Sequence, residues 1–179
     1  MDDTLKRALV NSYKTKNVHG NEIGADYLID PSLSGKRVQV YHSPTTGEAT
    51  VVHSGSNSLA DVWTDVKLGL GINKSKRLDH GKRIQAAANA KYGDQNITTV
   101  GHSLGGRIAE VASKGKVVTV NKAVGIRDIF KPIRNKQQTD LRHRFDPVSA
   151  LGGFQRSRGK QAETKRKIAT PWTAHSLKA

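Results

Sequence analysis

The stretch Gly101-His102-Ser103-Leu104-Gly105 constrains this chain more than any other. It follows Ile97-Thr98-Thr99-Val100, a run whose β-branched residues favour a strand. On its far side Ile108, Val111 and Ala112 recur at helical spacing before Gly115. A strand that turns into a helix over so few residues brings the two backbones almost into contact, so the positions two residues either side of the apex must be small. Gly101 and Gly105 hold those positions, and Ser103 stands at the apex with its hydroxyl pushed outward. That is the pattern of a nucleophile elbow.

The elbow sets the order of its neighbours. Residues 116–120 read as the next strand, so strand, helix and strand form a right-handed parallel crossover. Residues 75–92 form a longer helix closed by Gly93. Upstream, residues 36–42 alternate, Ser43-Pro44-Thr45-Thr46-Gly47 is a turn, and residues 49–53 return. This predicts an antiparallel hairpin at the edge of the sheet. Residues 2–14 place Leu5, Ala8, Leu9 and Tyr13 on one helical face, read as packing. The fold class is therefore α/β: a mixed sheet, parallel around Ser103, with an antiparallel N-terminal hairpin and helices on both faces.

A length of 179 residues with 35% hydrophobic content closes one core, so a single domain over residues 1–179 is expected. No apolar run approaches the ~18 residues of a membrane span, and the first residues lack the pattern of a secretory signal. There is no cysteine, which excludes disulfides and thiolate metal sites. The net charge of +15 predicts a polyanionic neighbour: nucleic acid, an anionic lipid surface or an acidic protein. An aromatic content of 5% argues against a dedicated single-strand binder. Charge concentrates at residues 155–167, where Arg156, Arg158, Lys160, Lys165, Arg166 and Lys167 face a single Glu163. That segment reads as a solvated basic loop.

A serine hydroxyl needs an imidazole to take its proton and a carboxylate to orient the imidazole. Residues 139–148 read as another strand that ends at an acid, Asp146, at the carboxyl end where open α/β sheets collect their chemistry. The competing reading of Asp146-Pro147 is a plain turn. Of the seven histidines only His175 follows that acid, and the order Ser103, Asp146, His175 matches that of the α/β-hydrolase arrangement. An oxyanion hole needs two N–H donors: Leu104 supplies one, and the Gly55-Ser56 loop is placed to supply the other. The helix expected over residues 58–66 has Leu59, Val62, Trp63 and Val66 on one face and reads equally well as an ordinary core helix. No histidine pair has metal-ligand spacing, so neither a metal nor a cofactor is expected.

These blocks together resemble the class 3 lipases, of the α/β-hydrolase fold, from about Val51 to His175. Gly101-His102-Ser103-Leu104-Gly105-Gly106 is similar to that family's most specific motif. Val51-Val52-His53-Ser54-Gly55-Ser56 and the helix carrying Asp61 and Asp65 look like its oxyanion strand, loop and helix. Val117-Val118-Thr119-Val120-Asn121 resembles the strand after the elbow helix, and Asp146-Pro147-Val148 and Ala174-His175-Ser176-Leu177 resemble the acid and histidine blocks. The chain departs from the family in carrying Ser54 where an arginine is usual, and Val62 followed by Trp63 where tryptophan comes first. Its shortness resembles the compact versions of large DNA viruses.

The resemblance implies Ser103 as nucleophile, Asp146 as acid, His175 as base, and Ser56 beside Leu104 in the oxyanion hole. The implied activity is hydrolysis of carboxylic esters of lipids, triacylglycerol or phospholipid, through an acyl-enzyme. Leu59, Val62 and Trp63 lie where the family often has a lid, and the basic segment would attract anionic headgroups. The alternative is a catalytically silent basic protein on the same scaffold, bound to nucleic acid or carried in a virus particle.

Overall fold

The computed structural model describes residues 1–14, 23–56, 76–143 and 146–164. Their strands form one seven-stranded sheet in sequential order. The strands are β1 (Leu28–Ile29), β2 (Val38–His42), β3 (Ala49–His53), β4 (Ile97–His102), β5 (Lys116–Val120), β6 (Gln138–His143) and β7 (Lys160–Thr164). β1, β2 and β3 pair antiparallel, and β3 through β7 pair parallel. The helices are α1 (Asp3–Asn11), α2 (Lys76–Tyr92), α3 (Leu104–Ala112) and the single turn α4 (Ile126–Ile129).

Side chains alternate across a strand, so each central strand feeds two cores. Tyr41, Val52, Val100 and Val118 pack with Ala8 and Leu9 of α1 and with Ile23 on one face. Val38, Val40, Ala49, Val51 and Ile97 pack with Ala88 of α2 on the other. Leu104 and Ile108 of α3 join Leu78 of α2 on that second side. Val51, Val52 and Val100 are fully buried, as expected of strands covered on both faces.

Three expectations need correction. The hairpin is not the sheet edge, because β1 pairs Leu28 with His42 and Ile29 with Tyr41 outside it. The strand read over residues 139–148 is displaced to Gln138–His143, so Asp146 stands in the turn beyond it. Residues 155–167 are not simply a loop, since Lys160–Thr164 is strand β7, in parallel register with Thr139 to His143. Backbone pairing at an open edge creates this strand. It needs no apolar alternation, and Lys160 and Glu163 leave the edge charged, a pattern that discourages further pairing.

The far half of the sheet is held by buried ions. Arg107 of α3 donates to Asp128 at 2.7 Å and also pairs with Glu110. Lys122, 4% exposed at its side chain, bridges Glu110 and Asp140, the latter at 3.0 Å. Thr119 and Gln138 complete the shell by donating to Asp140 at 2.6 and 2.8 Å. Removing one member of such a network strands a buried charge. The arrangement locks the elbow helix to β5, β6 and α4.

Candidate active site

Ser103 has φ 55° and ψ −126°, in the left-handed region that non-glycine residues avoid. The surrounding backbone leaves it no alternative. A Cβ on Gly101 would collide with the Gly105 carbonyl and lie 2.7 Å from the Gly106 nitrogen, and one on Gly105 would collide with the His53 carbonyl. Ser103 donates its N–H to Val120 O at 3.0 Å and receives the Ala123 N–H at 3.1 Å, which clamps the turn onto β5. Its hydroxyl has no hydrogen-bond partner among the described residues, and the residue is 1% exposed. Leu104 opens α3, and the N–H of a helix's first residue has no carbonyl within the helix to receive it.

The loop after β3 runs beside this turn. A Cβ on Gly55 would lie 3.2 Å from Ser103 Cβ and 3.0 Å from His102 O, so the loop backbone and the serine are immediate neighbours. Three elements hold it. From the end of α1, the Tyr13 hydroxyl accepts the Gly55 N–H at 2.9 Å and lies 2.7 Å from His102 Nδ1. The phenol thus joins the loop backbone to the His102 ring. Burial raises the Tyr13 pKa to about 12, which keeps the phenol protonated. From the start of β2, Arg37 O accepts the Ser54 N–H and hydroxyl, both at 3.1 Å, and the Arg37 guanidinium reaches Gly55 O at 3.4 Å.

The third brace is Arg77 of α2. Its guanidinium donates to the carbonyls of Ser54 and Gly55, the latter at 2.9 Å, and to the Ser56 hydroxyl at 3.1 Å. Burial, with Arg37 adding like charge, lowers its pKa to about 10, so it remains a cation at neutral pH. Sequence patterning points to neither residue: Tyr13 falls on the packing face of the N-terminal helix, and Arg77 is one of many basic residues. No short-range spacing signals either contact.

Asp146 lies beyond β6 at the same carboxyl edge and is 1% exposed. Its N–H donates to His143 O at 3.0 Å, and its carboxylate accepts the N–H groups of Val148 at 3.0 Å and Ser149 at 3.2 Å. The turn reading of Asp146-Pro147 holds, and that turn buries the carboxylate. Asn121, at φ 46°, ends β5 and accepts the His143 N–H at 2.8 Å, joining the ends of β5 and β6. His53 closes β3 fully buried, and burial lowers its pKa to about 4, so it is neutral.

The structure thus brings Ser103, Leu104, Ser56 and Asp146 to one edge of the sheet. Arg156, Arg158 and Lys160 are exposed. His175, Leu59, Val62, Trp63, Lys165, Arg166 and Lys167 lie outside the described residues. Among the described residues no group of side chains has the makings of a metal site, and no helix is long and apolar enough to cross a membrane.

Comparison with known proteins agrees with this geometry. The family described as phospholipase-like, Tle-like phospholipase domain, matches residues 12–141. No curated protein matches the chain. Among solved structures it is similar to the Lip2 lipase from Yarrowia lipolytica, with a TM-score of 0.55 and 16% identity over 97% of this chain and 80% of that one. A mutant form of MDLA from Penicillium cyclopium gives a TM-score of 0.55 and 16% identity over 93% of this chain and 78% of that one. At such identity the likeness is one of fold: the α/β-hydrolase fold.

Proposed function

We propose that this chain, which belongs to the phospholipase-like family of Tle-like phospholipase domains, hydrolyses carboxylic esters of lipids through an acyl-enzyme on Ser103. The observation that carries the reading is the elbow itself: a serine held at φ 55° between two glycines that admit no side chain. A fold has no use for such strain in a plain turn, and strain of this kind collects at functional sites.

In this reading His175 takes the Ser103 proton as Oγ attacks the ester carbonyl carbon, and Asp146 orients the imidazole and stabilises its positive charge. The tetrahedral oxyanion rests on the N–H groups of Leu104 and Ser56. His175 then returns the proton to the leaving alcohol, and water attacks the acyl-enzyme by the reverse route. One oxyanion donor is worth roughly 3 kcal/mol of barrier in serine hydrolases, so the bracing of residues 54–56 bears directly on rate. Leu59, Val62 and Trp63 are the proposed lid, which moves aside as an ester reaches Ser103. Phospholipid is the favoured substrate, on the family description and on a net charge of +15 that suits anionic headgroups.

The test is labelling with a fluorophosphonate, wild type against Ser103→Ala, followed by assays on phosphatidylglycerol and trioleoylglycerol. Wild type labels, Ser103→Ala does not, and phosphatidylglycerol is cleaved faster. Equal labelling of both proteins, or none of the wild type, overturns the acyl-enzyme. In the latter case salt-dependent DNA binding would favour the silent basic scaffold.

A further inference from the structure

The two most exposed large apolar side chains among the described residues are phenylalanines, and they belong to neighbouring turns. Phe130, 82% exposed, caps α4 after β5, and Phe154, 75% exposed, ends the 3-10 turn Ala150–Phe154 after β6. Their segments are laced together. Gln155 donates through Nε2 to Asp128 O at 3.0 Å and to Lys131 O at 3.3 Å, on either side of Phe130. The Ile133 N–H donates to Arg156 O at 2.8 Å, and the Arg158 N–H donates to Ile133 O at 3.0 Å. Ile133 itself is buried at 4% exposure, so this double segment is anchored while its two aromatic rings stand in water.

Basic side chains predominate around the pair. Lys131, Arg134, Lys136, Arg156, Arg158 and Lys160 are all exposed, and residues 129–138 and 150–162 contain no acidic side chain. The acids beside it are engaged: Asp128 is buried against Arg107 with Lys131 at 3.7 Å, and Glu163, 43% exposed, pairs with Arg142, whose guanidinium lies beside Gly153. The region descends from the carboxyl edge that carries Ser103 and Asp146, because its two segments are the connections leaving β5 and β6.

We propose that Phe130 and Phe154, with the cations around them, form a docking surface for anionic lipid bilayers. The proposal rests on the lipid-ester reading for its purpose and makes that reading specific: the protein meets its substrate as a sheet of anionic headgroups. The charges draw it to the surface at long range, and each additional basic residue strengthens this attraction. The rings then pass below the headgroups, where phenylalanine, lacking a polar handle, gains from leaving water. Duplex nucleic acid, its bases already stacked, leaves the two exposed rings without a role, whereas a single strand would stack on them and is the alternative that the test separates.

The test is co-sedimentation with vesicles of phosphatidylglycerol and phosphatidylcholine, using the full chain, in parallel with hydrolysis of a water-soluble short-chain ester. Wild type binds vesicles containing phosphatidylglycerol and not pure phosphatidylcholine. Phe130→Ser/Phe154→Ser weakens binding by at least about tenfold at fixed salt. Its circular dichroism and soluble-ester rate stay those of wild type, because both rings are already solvated. Arg134→Gln/Arg156→Gln/Arg158→Gln retains the rings and flattens the salt dependence of binding. Vesicle binding unchanged in the double phenylalanine variant overturns the proposal. So does wild type that ignores the vesicles but binds single-stranded DNA. Loss of soluble-ester hydrolysis in wild type would count against the hydrolase reading instead, with vesicle binding still deciding the docking surface.

Discussion

Arg77 donates to the Ser56 hydroxyl at 3.1 Å while the same guanidinium holds the carbonyls of Ser54 and Gly55. One planar cation thus fixes three successive residues of the loop beside Ser103, a task suited to the rigid fork of arginine. Its position in the first turn of α2 makes the long helix part of the site.

Arg77→Ala therefore lowers kcat for a soluble ester by roughly 10- to 100-fold with little change in KM, because the loop's N–H groups are read by the transition state more than by the ground state. Arg77→Lys recovers only a fraction, having no fork. Steady-state kinetics on both variants, with melting temperatures alongside, check this. A loss confined to KM would assign Arg77 to substrate binding.

Tyr13→Phe removes both the acceptor for the Gly55 N–H and the hydrogen-bond partner of His102 Nδ1. An unsatisfied buried donor costs about 1–3 kcal/mol. Urea unfolding should show that loss, and soluble-ester turnover should fall about tenfold as the loop relaxes.

Gly105→Ala should abolish folding. The added methyl would overlap the His53 carbonyl, which belongs to β3 paired in the sheet, while Gly105 sits in the first turn of α3 packed on that strand. Soluble expression and circular dichroism read this directly. Gly35→Ala, where nothing lies within 4 Å, is the control and should fold normally.

The fourth prediction concerns acid. Burial holds His53 at about 4 in the folded protein, against an ordinary value of 6.5. As pH falls through the interval between these values, the unfolded chain takes up a proton that the folded chain refuses. Stability contributed by the neutral imidazole is complete above about pH 6.5 and declines towards pH 4, by about 3 kcal/mol in total. His53→Phe should flatten the dependence of the urea midpoint on pH across that window. An unchanged slope would show that His53 does not carry it.

What the chain alone determined is what short-range sterics and periodicity can encode. The glycine pair around Ser103 can only be a close strand-to-helix turn. The apolar periods of residues 75–92 and 116–120 place a helix and a strand at their observed positions, and the parallel crossover follows from their order. Tertiary structure decided the rest, for two physical reasons. A hydrogen bond between residues 42 apart, as for Gly55 and Tyr13, or 89 apart, as for Tyr13 and His102, leaves no period in the sequence. An edge strand such as β7 is selected by backbone groups already waiting on β6, so Lys160–Thr164 shows only charge to a reader of residues. The elbow was written locally, whereas the braces that make its surroundings a site exist only where α1, β2 and α2 converge.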